Sequence, residues 1–369
     1  MNHSWVEVDQ GALVDNLRLL QRRLGKSVEL MLVLKANAYG HGALEVGRRA
    51  QEQGVNWFVT AHLQEALGLK PAVDGAKILV MGFVAPTAIE VLAAQNIIPT
   101  ITSEEHAVAF NAEAGAHGLR LPVHIKFDTG MGRLGFPWFS GDDVLPRLAA
   151  LPNLDIQGVC SHFAAVEPDD PARANLQLER FRHMRQLLEA PLGRRLFAHM
   201  ASSRAFLHLP DGQFDAVRIG ILLYGYGAGV FQEELPLRPV LQWKTRVIQV
   251  KRVPADFPVG YYGTWRSSQP TDIATIALGY DDGYLRALSN KGHVLIRGAR
   301  RPVVGRVSMN WITVDCGPES DVRVGDEVVL LGRQGAEEVW ADELAGLCGT
   351  IAYEILTCIH PHLERHYIG

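Results

Sequence analysis

Residues 28–42 read VELMLVLKANAYGHG: an apolar run, one lysine, then small residues with a tyrosine and a histidine among them. The run 28–34 is continuously apolar apart from Glu29, as expected of a strand covered on both faces. The bland reading of Lys35 is a strand end that reaches water, with the glycines making a turn. The other reading is a cation held where chemistry happens. Which applies depends on whether the pattern recurs. Seven further short apolar runs follow, at 57–60, 77–81, 98–101, 122–127, 156–161, 195–199 and 215–219. Helix-like stretches separate them, including 42–53, 63–70, 103–115 and 171–190. The last carries Leu176, Leu178, Phe181, Met184 and Leu187 near helical spacing. Eight strand-helix repeats in this length predict a TIM (β/α)8 barrel. An open doubly wound sheet is the competing architecture.

The pattern changes near residue 235. Alternating runs at 241–250, 273–278, 293–296, 311–315 and 328–331, separated by Gly and Pro, predict a mostly antiparallel β domain. Helical periodicity returns only at 341–348. The expected division is therefore 1–235 for the barrel and 236–369 for the β domain. A first strand at about 4–9 is free to pair with either.

Bulk properties narrow the function. The 369 residues fit two domains, and 47% hydrophobic content supports a sizeable core. A net charge of −4 points away from nucleic acid and anionic membranes. Cys160, Cys316, Cys348 and Cys358 show no metal-ligand spacing and read as reduced thiols, so no metal is expected. The opening MNHSWVEVDQ has no basic and apolar leader pattern, and no run approaches a membrane span. These features predict a cytoplasmic protein.

In a TIM barrel the carboxyl ends of the strands face the active site. Here they carry Lys35, Lys126 with Asp128, His162, His199 and Arg218. Each has a structural reading, as a hydrogen-bonded histidine or a salt-bridged arginine, but five strands ending in ionisable groups favour a shared pocket. The loops after the seventh and eighth strands offer Ser202-Ser203 and Gly220-Ile221, suited to a phosphate. There is no P-loop and no GxGxxG. A lysine across from a phosphate site suggests pyridoxal phosphate, which forms a Schiff base with lysine, and Arg218 is then a candidate partner for its ring nitrogen.

The stretch LKANAYGHG (34–42) closely resembles the cofactor-lysine motif of the alanine racemases. The likeness continues through HIKFDTGMGRLGF (124–136), SHF (161–163), HMASS (199–203) and VRIGILLYG (217–225). It extends to PVGYYGTW (258–265), GYDDGYLR (279–286), VGRVSMN (304–310) and TIAYEIL (350–356). The resemblance implies a TIM barrel followed by a β domain, pyridoxal phosphate as cofactor, and interconversion of L- and D-alanine for peptidoglycan. It implies Lys35 and Tyr261 as the two bases, the tyrosine coming from the partner subunit of a homodimer. Arg218 would meet the pyridine nitrogen with His162 behind it. Tyr39, Ser203, Gly220, Ile221 and Tyr353 would contact phosphate. Arg133 and the Met309 amide would meet the substrate carboxylate. Lys126 sits where many members carry a carbamylated lysine, and Tyr284, Arg286 and Arg306 take supporting positions. Three residues depart from the family pattern: Asn310 for aspartate, Tyr262 for glycine and Ser202 for asparagine. A serine or broad-specificity racemase is the near alternative, a barrel-type decarboxylase and a non-catalytic cofactor carrier the distant ones.

Overall fold

A computed structural model describes residues 4–167 and 169–369. The leaderless reading of the first residues falls partly on 1–3, outside that range. The eight runs form eight parallel strands: Glu29–Val33, Trp57–Thr60, Lys77–Val80, Ile97–Ile101, Leu121–Asp128, Leu154–Cys160, Phe197–Ser202 and Ala216–Ile219. They pair in chain order. The last closes on the first with Arg218 opposite Met31. The sheet is a barrel, not an open array. The seventh strand runs to Ser202, past the expected end at 199.

Alternation along these strands divides their side chains between two surfaces. Leu30, Leu32, Phe58, Ile78 and Val80 join the large core beneath the outer helices. Met31, Trp57, Val59, Leu79, Ile98 and Ala216 pack against one another as a separate cluster that fills the barrel. Burying each of Met31, Val59, Leu79 and Ile98 stabilises the fold by about 1.5–3 kcal/mol. The inward face continues upward by steps of two, so Met31 and Val33 lead to Lys35, His124 to Lys126, and Ala216 to Arg218. The long helix Ala172–Leu192 buries Ala174, Gln177, Leu178, Phe181, Met184 and Leu188. Leu176 instead stands 45% exposed, so the apolar stripe is offset from the expected one.

The second sheet is built on Leu241–Val253, which pairs antiparallel with Thr271–Ile276, Glu327–Gln334 and Trp5–Asp9. Ile312–Gly317 extends it beside Thr271–Ile276, and His293–Ile296 beside Glu327–Gln334. The opening strand Trp5–Asp9, left free by the sequence, thus belongs to this sheet. There it also runs parallel to the final strand Glu364–Ile368. Asp9 then caps the first helix, its Oδ1 accepting from Ala12 N at 2.7 Å. All four cysteines are free. Among the described residues no helix is long and apolar enough to cross a membrane, and no cluster of His, Cys, Asp or Glu is arranged to hold a metal.

Candidate active site

A cavity of about 370 Å³ opens at the carboxyl ends of the barrel strands. Lys35, Tyr39, Lys126, Arg133, His162, Ser203, Arg218, Gly220, Ile221 and Tyr353 all line it, with Ser202 at its edge. Asp128 and His199 do not. The Asp128 carboxylate instead accepts from the Gly130, Met131 and Gly132 amides at 2.9–3.0 Å, folding the turn that presents Arg133. The lining therefore holds four cationic side chains and no carboxylate. Burial first, then the Arg133 charge, lowers the Lys35 pKa from its ordinary value. Burial likewise lowers that of Lys126. Unbalanced buried charge is costly unless an anion shares the space, so the pocket suits a ligand with more than one acidic group.

Lys35 ends the first barrel strand, and the chain then does something rare. Ala36, Asn37, Ala38 and Tyr39 all have positive φ, from 51° to 55°, making one turn of left-handed helix. For L-residues this costs roughly 1–2 kcal/mol each, and it persists only where surrounding contacts dictate it. Those contacts are present. Glu65 accepts from Ala36 N at 2.6 Å, and with its other oxygen from Ala61 N and His62 N at 2.9 and 3.1 Å. Asn37 Oδ1 accepts from Ala43 N at 2.9 Å. His41 Nδ1 lies 3.1 Å from Ala38 O and 2.9 Å from Tyr39 O, so Nδ1 carries the proton. Burial pushes the His41 pKa down to about 3, which keeps the ring neutral.

The turn swings Tyr39 into the cavity between Tyr224 and Tyr353, with ring centroids 5.3 and 5.8 Å away. Gly220 makes room for it, since a Cβ there would fall 2.5 Å from Tyr39 Oη. The Gly220 amide donates to Ser203 Oγ at 3.1 Å. Tyr39, Ser203, Gly220, Ile221 and Tyr353 thus share one rim.

Arg218 is buried, and its two terminal nitrogens are held by five hydrogen bonds. Nη1 donates to His199 Nδ1 at 2.6 Å and His199 O at 3.0 Å. Nη2 donates to Ser161 O, Met200 O and His162 Nδ1 at 2.7, 2.9 and 3.1 Å. Because an arginine only donates, both histidines must accept at Nδ1. His199 then donates from Nε2 to His124 Nδ1, 3.0 Å away. Burial, reinforced by the Arg218 charge, holds His162 neutral with a pKa of about 3 and His199 well below the usual value. Burial brings Arg218 itself down only to about 10, so it stays protonated near neutral pH.

The remaining candidates lie elsewhere. Tyr261, Arg286 and Met309 line a separate recess on the second sheet, with Tyr262, Tyr280 and Asn310. Tyr261 is 65% exposed and Met309 53%. Arg306 sits beside them, its guanidinium 4.8 Å from the Tyr262 ring centroid. Tyr262 adopts φ 63°, the region where glycine would be unstrained. Tyr284 is a correction: it is 1% exposed, packed against Trp243 in the core of the second domain, and lines neither recess. Tyr280 of the same motif takes the surface position instead. His199, expected among the strand-end residues of the pocket, acts instead behind Arg218. Glu65 and His124 carry no signal in the strand-end pattern, because their roles run through main-chain atoms and through His199.

Comparison with known proteins agrees along the whole chain. Residues 8–228 match the family model "Alanine racemase, N-terminal domain", and 240–367 match "Alanine racemase, C-terminal domain". An alanine racemase of Syntrophobacter fumaroxidans is 43% identical over 360 residues, covering 97% of this chain and 96% of its own. The crystal structure of alanine racemase from Bacillus anthracis, with bound L-Ala-P, superposes with a TM-score of 0.92. It is 35% identical, covering 100% of this chain and 96% of its own. That from Bartonella henselae, with covalently bound pyridoxal phosphate, gives 0.89 at 30% identity and full coverage of both chains. The chain belongs to the alanine racemase family.

Proposed function

We propose that this chain interconverts L- and D-alanine with pyridoxal 5'-phosphate as cofactor, acting as a cytoplasmic homodimer that supplies D-alanine for peptidoglycan. The observation that carries the cofactor reading is the cavity's charge: Lys35, Lys126, Arg133 and Arg218 line it without a carboxylate. A phosphate and a substrate carboxylate supply the missing anions. Tyr39, Ser203, Gly220, Ile221 and Tyr353 would hold the phosphate, and Lys35 would hold the aldehyde carbon covalently. When bound, pyridoxal phosphate withdraws the electron pair left on Cα as the α-proton departs.

The protein's part is to orient and to move that proton. Arg218, kept protonated and fixed by five hydrogen bonds, would face the pyridine nitrogen and disfavour its protonation. Withdrawal is then tempered, which limits side reactions. Arg133, carried on the Asp128-organised turn, would take the substrate carboxylate together with the Met309 amide, and Lys126 would orient Arg133. A single mobile base can racemise Cα, but two groups flanking it, one removing the proton from one face and the other delivering one to the opposite face, do so directly. A lowered Lys35 pKa leaves more free amine to serve one face. Tyr261 would serve the other. Because it stands exposed on a different recess from Lys35, we assign it to the site of a second copy. Arg286 and Arg306 would support it there. The division of the chain at about 235/236 follows the same reading, with Trp5–Asp9 counted with the second unit.

Racemisation rates over a panel of small amino acids test the assignment. Alanine should turn over fastest. A hydroxyl added in an apolar pocket is rejected only weakly, by roughly 100-fold, so slower serine turnover is expected. Serine faster than alanine, or carbon dioxide release in place of racemisation, would overturn it.

A further inference from the structure

We propose that Arg365, on the last strand of the second sheet, is a positioning residue for the cofactor pocket. It would lock the left-handed turn after Lys35 to the segment that follows Tyr353. The inference rests on the reading that Tyr39 and Tyr353 share a phosphate.

Arg365 pairs with Val6 in the sheet and sends its guanidinium toward the barrel. Nε donates to Gly40 O at 3.0 Å. Nη1 donates to Leu363 O, Pro361 O and His360 O at 2.6, 3.1 and 3.3 Å, and Nη2 to Ile359 O at 3.5 Å. All five bonds run to main-chain carbonyls, so this is a brace between two backbone segments rather than an ion pair. One segment is Gly40, the residue after Tyr39. The other begins at Ile359, directly after the helix Ala352–Cys358 that carries Tyr353.

The two segments are in close contact. A Cβ on Gly40, whose φ is 85°, would fall 2.5 Å from Leu356 O. Only glycine allows the turn to approach that helix so nearly. Four consecutive left-handed residues need outside contacts to persist, and Arg365 supplies one from across the domain boundary. The fold does not depend on it alone. Trp5–Asp9 pairs with Leu241–Val253, and Asn16 Nδ2 donates to Leu223 O and Arg238 O at 3.0 and 2.7 Å. Loss of Arg365 should therefore loosen the pocket more than the fold. A lysine cannot replace it, because one ammonium lacks the planar fork that reaches both segments.

The test uses Arg365→Lys and Arg365→Met in the full chain. Hydrogen exchange on the cofactor-free protein should accelerate about tenfold or more in 36–42, where Gly40 N and Gly42 N are hydrogen-bonded. Thr271–Ile276 should keep its rate. The dissociation constant for pyridoxal phosphate should rise about tenfold or more, as for a lost hydrogen bond to a charged group. Combining Arg365→Lys with Tyr39→Phe should weaken binding by less than the product of the two, since one change acts through the other. If Arg365→Met fails to fold, Tyr367→Phe, which removes only the 3.4 Å bond to His41 O, should accelerate exchange in 36–42 by itself. Unchanged exchange in 36–42, or acceleration shared equally by Thr271–Ile276, overturns the inference. Failure of the wild type to bind pyridoxal phosphate would sink the cofactor reading instead, while the exchange result would still decide the brace.

Discussion

Gly220→Ala should loosen the hold on the cofactor phosphate while leaving the fold intact. The added Cβ would lie 2.5 Å from Tyr39 Oη and 2.9 Å from its Cζ, whereas ordinary contact is about 3.5 Å. The Tyr39 hydroxyl must therefore move by roughly 1 Å. It has little room, with Tyr224 and Tyr353 packed against its ring at 5.3 and 5.8 Å. A shift of that size breaks a hydrogen bond. A bond from a hydroxyl to a charged group contributes about 1.5–3 kcal/mol, so affinity for pyridoxal phosphate should fall roughly 10- to 150-fold. Titrating pyridoxal phosphate into the cofactor-free chain, followed by absorbance, measures this directly, and circular dichroism checks the fold. Tyr39→Phe should lose a similar amount, and the double variant little more, because both delete the same contact. Wild-type affinity in Gly220→Ala, or a double-variant loss equal to the product of the single losses, would refute the reasoning.

Two more outcomes follow from the site. Lys35→Ala and Tyr261→Phe chains should each be nearly inactive alone, yet co-refolding equal amounts should restore up to roughly a quarter of the wild-type sites, since each mixed dimer carries one complete pair. No recovery in dimers shown to be mixed would place both bases within one chain. Acid should destabilise the cofactor-free protein through its buried neutral histidines. Burial holds His41 and His124 at about 3 and His199 well below the usual value, against about 6.5 when unfolded. Below pH ~6.5 the unfolded chain binds the extra protons, so stability present above that pH drains as pH falls, by up to about 1.4 kcal/mol per unit per histidine. Urea midpoints should therefore be clearly lower at pH 5.5 than at 7.5, and equal midpoints would contradict the burial argument.

The barrel was legible because parallel strands covered on both faces leave unbroken apolar runs, and all eight were found within a few residues. Trp5–Asp9 was not assignable, since a strand's partner is set by tertiary pairing and WVEVD alternates equally well for either sheet. The stripe in Ala172–Leu192 shifted because Gln177 is buried as a hydrogen-bond donor to Thr129 Oγ1 and His162 O, which hydrophobic periodicity cannot register. The cavity's own side chains were visible as ionisable residues at strand ends and through family motifs. What holds them was not. Four small or aromatic residues such as Ala-Asn-Ala-Tyr carry no local signal for left-handed backbone, which here depends on Glu65, His41 and contacts from the far end of the chain. Tyr284 was misplaced for a similar reason: two tyrosines four residues apart differ in burial only once the turn between them is folded.

The claim beneath all of this is that one particular amine carries the cofactor, and the cavity offers two candidates, Lys35 and Lys126. Borohydride reduction of the cofactor-loaded protein, followed by mass mapping of its peptides, distinguishes them. The account predicts the added mass on the peptide containing Lys35 alone. Label on Lys126, or no label on protein shown to be loaded, would contradict it.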